Sequence, residues 1–186
     1  MNARRSRILN EFSLWVAMSA ARQGCPVRGK KLYPFLGSVD LTAIVDGEHE
    51  WTADGFESWH EAQAVGLAVA ARIPIGWSAK LIAMLLKTRV YTGSEGHGSL
   101  TPLIHPPIDN ALVAEIRRRY PLHDSRNRRL RSLCDAGVPI TRIVTYEQYR
   151  DVIRGLREVA TRENCTLFET ESLWSARDAD DPVANA

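Results

Sequence analysis

The sequence predicts an all-α protein, a compact bundle of six to seven helices. Three observations predict it. Apolar residues recur at helical spacing in several separate segments, proline and glycine stand where those segments end, and polar pairs at capping-box spacing stand where two of them begin. The 186 residues suit one domain, read here as 1–177, followed by an acidic tail at 178–186 that is expected to be disordered. No internal repeat is present.

The elements follow in order. A first helix is expected from Ser6 to Arg22, with Ile8, Leu9, Phe12, Trp15, Val16 and Met18 in one broad apolar stripe, stopped by Gly24 and Pro26. Residues 25–52 carry spaced prolines and glycines. They read as an ordered connection, in which Leu41 to Val45 could form a brief strand. A second helix starts near Asp54, whose spacing to Glu57 suggests a capping box, and it ends before Pro74. The third, Trp77 to Tyr91, is the most apolar and therefore expected at the centre. A glycine-rich loop, 93–99, leads to Pro106-Pro107. A fourth helix then opens at Ile108–Asp109 and runs to Tyr120, where Pro121 blocks continuation. A short arginine-bearing helix over Asn127 to Asp135 follows. A long helix capped by Thr145 and Gln148 runs to Glu163, and a short one spans Phe168 to Ser175.

Composition excludes several classes. Apolar residues make up 45% and charged residues 25%, which suits a soluble chain with a real core. No uninterrupted apolar run approaches the ~20 residues of a membrane span, so no membrane partner is expected. Cys25, Cys134 and Cys165 are far apart, without metal-ligand spacing or a disulfide framework, so a cytoplasmic protein with no metal and no cofactor is expected. The net charge of +2 hides a basic stretch. From Arg117 to Arg131 there are seven arginines, among them Arg118, Arg119, Arg126, Arg128 and Arg129, against one acid, Asp124.

The segment that can carry chemistry is Ile73-Pro-Ile-Gly-Trp-Ser-Ala-Lys80, followed by His105-Pro-Pro-Ile-Asp-Asn110. A turn at Pro74 and Gly76 places Lys80 one turn into an apolar helix. On a wheel of about 100° per residue Lys80, Ala83 and Lys87 share one face. That face can be the solvated side of an amphipathic helix, or a site. Pro106 and Pro107 force an extended approach, Ile108 anchors it, and Asp109 falls at the next helix start. There it can serve as an N-cap and also as a charged group facing the lysine.

These two segments resemble the helix-hairpin-helix DNA glycosylase superfamily, whose members excise damaged or modified bases. Gly76-Trp77-Ser78-Ala79-Lys80 is similar to the family's glycine hairpin with its catalytic lysine. Pro107-Ile108-Asp109-Asn110 is similar to the segment that carries the catalytic aspartate. Ser78 stands where a second hairpin glycine is usual, Asn110-Ala111 replaces the usual Thr/Val-His, and the family's iron–sulfur cysteines are missing. The resemblance covers about residues 54–120 by motif. It implies a helix-hairpin-helix element, catalytic Lys80 and Asp109, and DNA as partner. Gly76 and Ser78 would meet a phosphate, and Trp77, Trp59, His105 and Asn110 would border the base. The arginines at 117–119, 126, 128 and 129 would hold flanking phosphates about 15 Å from Asp109. The residues alone leave the aromatics open as core and the arginines as solvated surface. Other readings are a non-catalytic nucleic-acid-binding module, a related nucleobase-modifying transferase, and a helical interaction protein. Which base is recognised, whether it sits in polymer or free nucleotide, and the oligomeric state are open at this stage.

Overall fold

Helix α5, Ile75–Leu86, forms the axis around which the chain is arranged: Leu81, Ile82, Leu85 and Leu86 lose all exposure. The computed structural model describes residues 3–21, 24–120 and 140–175. In order these comprise α1 (Ala3–Ala20), a 3₁₀ turn (Gly29–Lys31), α2 (Tyr33–Leu36), α3 (Thr42–Val45), α4 (Ala53–Ala71) and α5. A π-helical segment (Lys87–Thr92), a 3₁₀ turn (Gly98–Leu100), α6 (Asn110–Arg119) and a 3₁₀ turn (Ile140–Arg142) come next. They are followed by α7 (Tyr146–Glu163), a 3₁₀ turn (Phe168–Glu171) and α8 (Ser172–Ser175). Every described element is helical, as the periodicity predicts, and the buried apolar residues form one hydrophobic core. The helix expected at Asn127–Asp135 and the tail at 178–186 lie outside the described residues.

Helices α1 and α4 both pack on α5. The chain turns by 118° between α4 and the α5–π segment. Arg72 makes the turn possible: it takes a left-handed conformation (φ 53°), its N–H meets Val69 O, and Ile73 N–H closes on Ala68 O. Pro74 then opens α5.

Several elements differ from expectation for identifiable reasons. Helix α4 is capped by Thr52, whose Oγ1 accepts from Gly55 N–H at 3.1 Å, and Glu57 faces another helix instead of closing a capping box with Asp54. Residues 42–45 form a helical turn instead of a strand. Asp40 Oδ1 accepts from Thr42 N–H at 2.9 Å, which favours a tight local turn, and no strand exists among the described residues to pair with it. After Leu86 the winding widens into π geometry. This segment carries Arg89 inward to Glu95, Asn10 and Ser6.

The glycine-rich loop is built, not slack. Glu95 is buried, Gly96 adopts φ +86° with its Cα close against the Ile44 carbonyl, and Ser99 Oγ accepts from Trp51 N–H at 2.9 Å. The face of α1 that packs on the core is not the expected stripe. None of Ile8, Leu9, Phe12, Trp15, Val16 and Met18 is fully buried, Ile8, Phe12 and Trp15 are 62%, 50% and 53% exposed, and Leu14, Ala17 and Ala21 are buried instead. Alanines at the buried positions allow close helix approach, which turns the bulkier residues outward.

The capping box of α7 is present as expected. Thr145 Oγ1 accepts from Gln148 N–H, and Gln148 Oε1 accepts from Thr145 N–H, each at 3.2 Å. Thr145→Ala is expected to lower stability by about 1 kcal/mol, measured as a shift in urea midpoint at unchanged slope. No single helix among the described residues is long and apolar enough to cross a membrane.

Candidate functional site

Lys80 and Asp109 meet. The lysine Nζ lies 3.6 Å from Asp109 Oδ2, with side chains 13% and 33% exposed. Each is placed by its local sequence. The apolar neighbours of Lys80 fix α5 in the core and leave its long stem to reach the edge. Pro106, Pro107 and Ile108 are buried, as the rigid approach predicts, and they deliver Asp109 to the N-cap of α6. There Asp109 divides its work: Oδ1 accepts from Leu112 N–H at 2.9 Å, and Oδ2 faces the lysine. The Trp77 ring forms a third side, with Lys80 Nζ 5.5 Å from its centroid. Asn110 is exposed beside Asp109 in the first turn of α6. The charged ends of both catalytic candidates therefore share one half-buried spot, where a cation, a carboxylate and an aromatic face converge.

One helical repeat along the same face, Lys87 Nζ binds both carboxylate oxygens of Glu171 at 2.7 and 2.8 Å. Ala83, between the two lysines, is fully buried. Lys87 and Glu171 border a cleft of about 630 Å³ that also touches Tyr91, Cys165 and Phe168.

The other expected site residues make contacts within the protein. Gly76 N–H donates to Ile143 O at 2.9 Å, and Trp77 and Ser78 N–H donate to Pro74 O at 3.0 and 3.2 Å. Ser78 Oγ donates to Ile75 O, and both Gly76 and Ser78 are buried. The backbone amides of Gly76, Trp77 and Ser78 thus serve the protein's own carbonyls. Gly76 has a packing role, since a Cβ there would run into the Ile140 carbonyl. Trp59 donates to Asp40 O at 3.2 Å and packs on Trp51 and Phe56, and His105 is completely buried against Phe56 and Tyr149. Both pack with Phe56 of α4, and Lys80 meets Asp109 and Trp77 instead.

The arginines divide as well. Arg118 binds Glu115 through Nε at 2.9 Å, and Arg119 reaches Glu115 and Glu163 at 3.5 and 3.1 Å. The Arg118 hydrogen bond holds the Glu115 carboxyl below its ordinary range, and Tyr120 does the same for Glu163. Arg117 is exposed, and Arg126, Arg128 and Arg129 lie outside the described residues. Among the described residues no cluster of His, Cys, Asp or Glu could hold a metal ion. Cys25 is buried, which pushes its thiol up, and Cys134 lies outside the described residues.

A second polar cluster escapes the sequence analysis. His60 Nδ1 and Tyr146 OH are 2.8 Å apart, His105 Nδ1 and Tyr149 OH are 3.2 Å apart, and the two imidazole rings are 4.6 Å apart. Glu57 lies 3.7 Å from His105 Nε2 and 3.6 Å from both Arg150 and Arg157. The periodic burial of α4 placed His60 inside, but only the long-range pairing to α7 reveals its partners. Burial pushes His60 down to about 3 and His105 well below the usual histidine range, and it raises both tyrosines.

The consequence for stability has a definite sign. In the unfolded chain both histidines take up protons below about pH 6.5, while the folded chain holds them neutral. Their stabilising contribution is therefore full above that pH and falls progressively toward the folded value. At pH 5 the loss is about 2 kcal/mol for His60 alone. Urea titrations at pH 7 and 5 should show at least that fall, and a flat profile would contradict it.

No family model, no curated protein and no solved structure matches this chain.

Proposed function

We propose that the protein is an enzyme that breaks the N-glycosidic bond of a nucleobase, a hydrolase or lyase of DNA-glycosylase type using Lys80 and Asp109. The observation that carries this reading is the 3.6 Å separation of Lys80 Nζ and Asp109 Oδ2 beside the Trp77 ring. An amine and a carboxylate so placed can approach the same face of one sugar carbon, opposite the departing base. Asp109 stabilises positive charge as the C1′–N bond breaks and the base leaves with the bonding pair. As the base departs it takes a proton from the Lys80 ammonium, and the freed Nζ lone pair forms the new bond to C1′ while Asp109 stays a carboxylate. Opening of the C1′–O4′ bond, with a proton passing from Nζ to O4′, gives the iminium. In the hydrolytic variant Asp109 orients water for the same attack. Its cap bond to Leu112 holds the carboxylate in place throughout.

The internal use of the hairpin amides favours a second form of the reading, in which the substrate is a nucleoside or nucleotide that needs no duplex grip. The test compares wild type, Lys80→Ala and Asp109→Asn on a panel of modified-base duplexes and free nucleosides. Each substitution is expected to lower base release by at least about 100-fold. Release unchanged in both variants would remove the mechanism. Release from nucleosides but not duplexes would select the second form.

A further inference from the structure

Helix α1 turns an unusual face to solvent. Ile8, Phe12 and Trp15 stand at i, i+4 and i+7, each at least half exposed, with the Phe12 and Trp15 rings stacked at 5.8 Å. On the helical wheel Arg4 and Arg5 continue the same face toward the N-terminus. Tyr33, 40% exposed, joins the patch by donating its hydroxyl to Glu11 at 2.6 Å, and this draws the Lys30–Lys31 turn alongside. Among the described residues up to position 33, Arg4, Arg5, Arg7, Arg28, Lys30 and Lys31 stand against Glu11 alone. In a chain of net charge +2 this segment is, with residues 117–131, one of two strongly basic stretches. Arg5 uses one N–H on the Gly93 carbonyl at 3.4 Å, which fixes the basic end of the helix to the fold.

We propose that this face of α1 docks on an anionic lipid surface, with Ile8, Phe12 and Trp15 entering the headgroup–acyl boundary and the surrounding cations meeting lipid phosphates. A row of large apolar side chains in water costs free energy that insertion at an interface recovers. Cations beside the row add attraction to negatively charged lipids. The charge selects this occupant over others. A second copy of the chain would bring two basic faces together. Single-stranded nucleic acid fits the charge, but it is held by cationic grooves with separated stacking faces. Here the rings stack on each other along a convex helix, and the aliphatic Ile8 completes the row. The expectation of no membrane association concerned spanning segments, and lying on a surface needs none. This inference stands apart from the Lys80–Asp109 reading.

The experiment is vesicle flotation of the full chain with pure phosphatidylcholine and with phosphatidylcholine containing phosphatidylglycerol, at low and high salt. Binding is expected only to the anionic vesicles, weakening as salt rises, with a blue shift of tryptophan emission. Phe12→Ser with Trp15→Ser should weaken it by about tenfold or more. Because both side chains are exposed, the thermal midpoint should hold, which separates lost docking from lost folding. Three results would overturn the proposal: no flotation with anionic vesicles, equal flotation of the double variant, or a patch that governs only self-association or single-stranded DNA binding in the same variants.

Discussion

Glu95→Ala is expected to destabilise the fold by about 3–5 kcal/mol, the largest effect of any single substitution considered for this protein. Arg89 and Glu95 form an ion pair with side chains 5% and 0% exposed. Removing the carboxylate leaves a guanidinium inside the protein with, among the described residues, Asn10 Oδ1 and Ser6 Oγ as its side-chain acceptors. The loss comes from the uncompensated charge, so replacing both partners should behave differently. Arg89→Met combined with Glu95→Leu is expected to recover most of the stability, since neither charge then needs solvation. Chemical denaturation of the two variants checks both statements. A loss under about 1 kcal/mol for Glu95→Ala would show that water already reaches the pair.

The second large effect is expected at Gly76. Its hydrogen atoms face the Ile140 carbonyl, with Ile140 C and Ile143 Cβ each 3.1 Å from where a Cβ would stand. The obstruction is backbone, which cannot rotate away as a side chain can. Gly76→Ala must therefore push the Ile140–Ile143 turn off α5 or break the Gly76 N–H bond to Ile143 O. A cost of about 3 kcal/mol is expected from overpacking of this kind. Gly66, where a Cβ meets nothing within 4 Å, supplies the control: Gly66→Ala on the same scale should be neutral or slightly stabilising. Comparable destabilisation at both positions would mean that the close approach at Gly76 is not the cause.

Much of the fold is legible in local sequence signals. The Thr145–Gln148 pair marks the start of α7, and Pro106-Pro107-Ile108 places Asp109 at the cap of α6, because both depend on residues a few positions apart. The elements that differ depend on distant partners. Asp54 and Glu57 have capping-box spacing, yet Thr52 captures the cap and Glu57 turns to Arg150 and Arg157 on α7. The π winding after Leu86 carries Arg89 inward to a carboxylate in a loop that composition alone describes as flexible. In α1 the apolar residues wrap too far round for periodicity to choose which side is buried. The alanines that permit close packing on α5 decide it.

The candidate site divides along the same line. Lys80, Asp109 and Trp77 are brought together because short-range rules place the turn, the stem and the cap. Gly76 and Ser78 carry the motif spacing of a phosphate-binding hairpin, but the chain segment from Ile140 to Ile143 occupies that face, and nothing in residues 73–80 announces it. Trp59 and His105 follow the same logic. An aromatic or histidine near a motif is drawn into whichever cluster packs there, and here that cluster contains Phe56 and Tyr149.

The most direct test of the Lys80–Asp109 account is borohydride trapping on a base-excision substrate, with the modified residue located by peptide mass spectrometry. The account predicts a reduced covalent adduct on Lys80 in the wild type, none in Lys80→Ala, and a much reduced yield in Asp109→Asn. An adduct on another lysine, or base release by the Lys80→Ala variant at the wild-type rate, would contradict it.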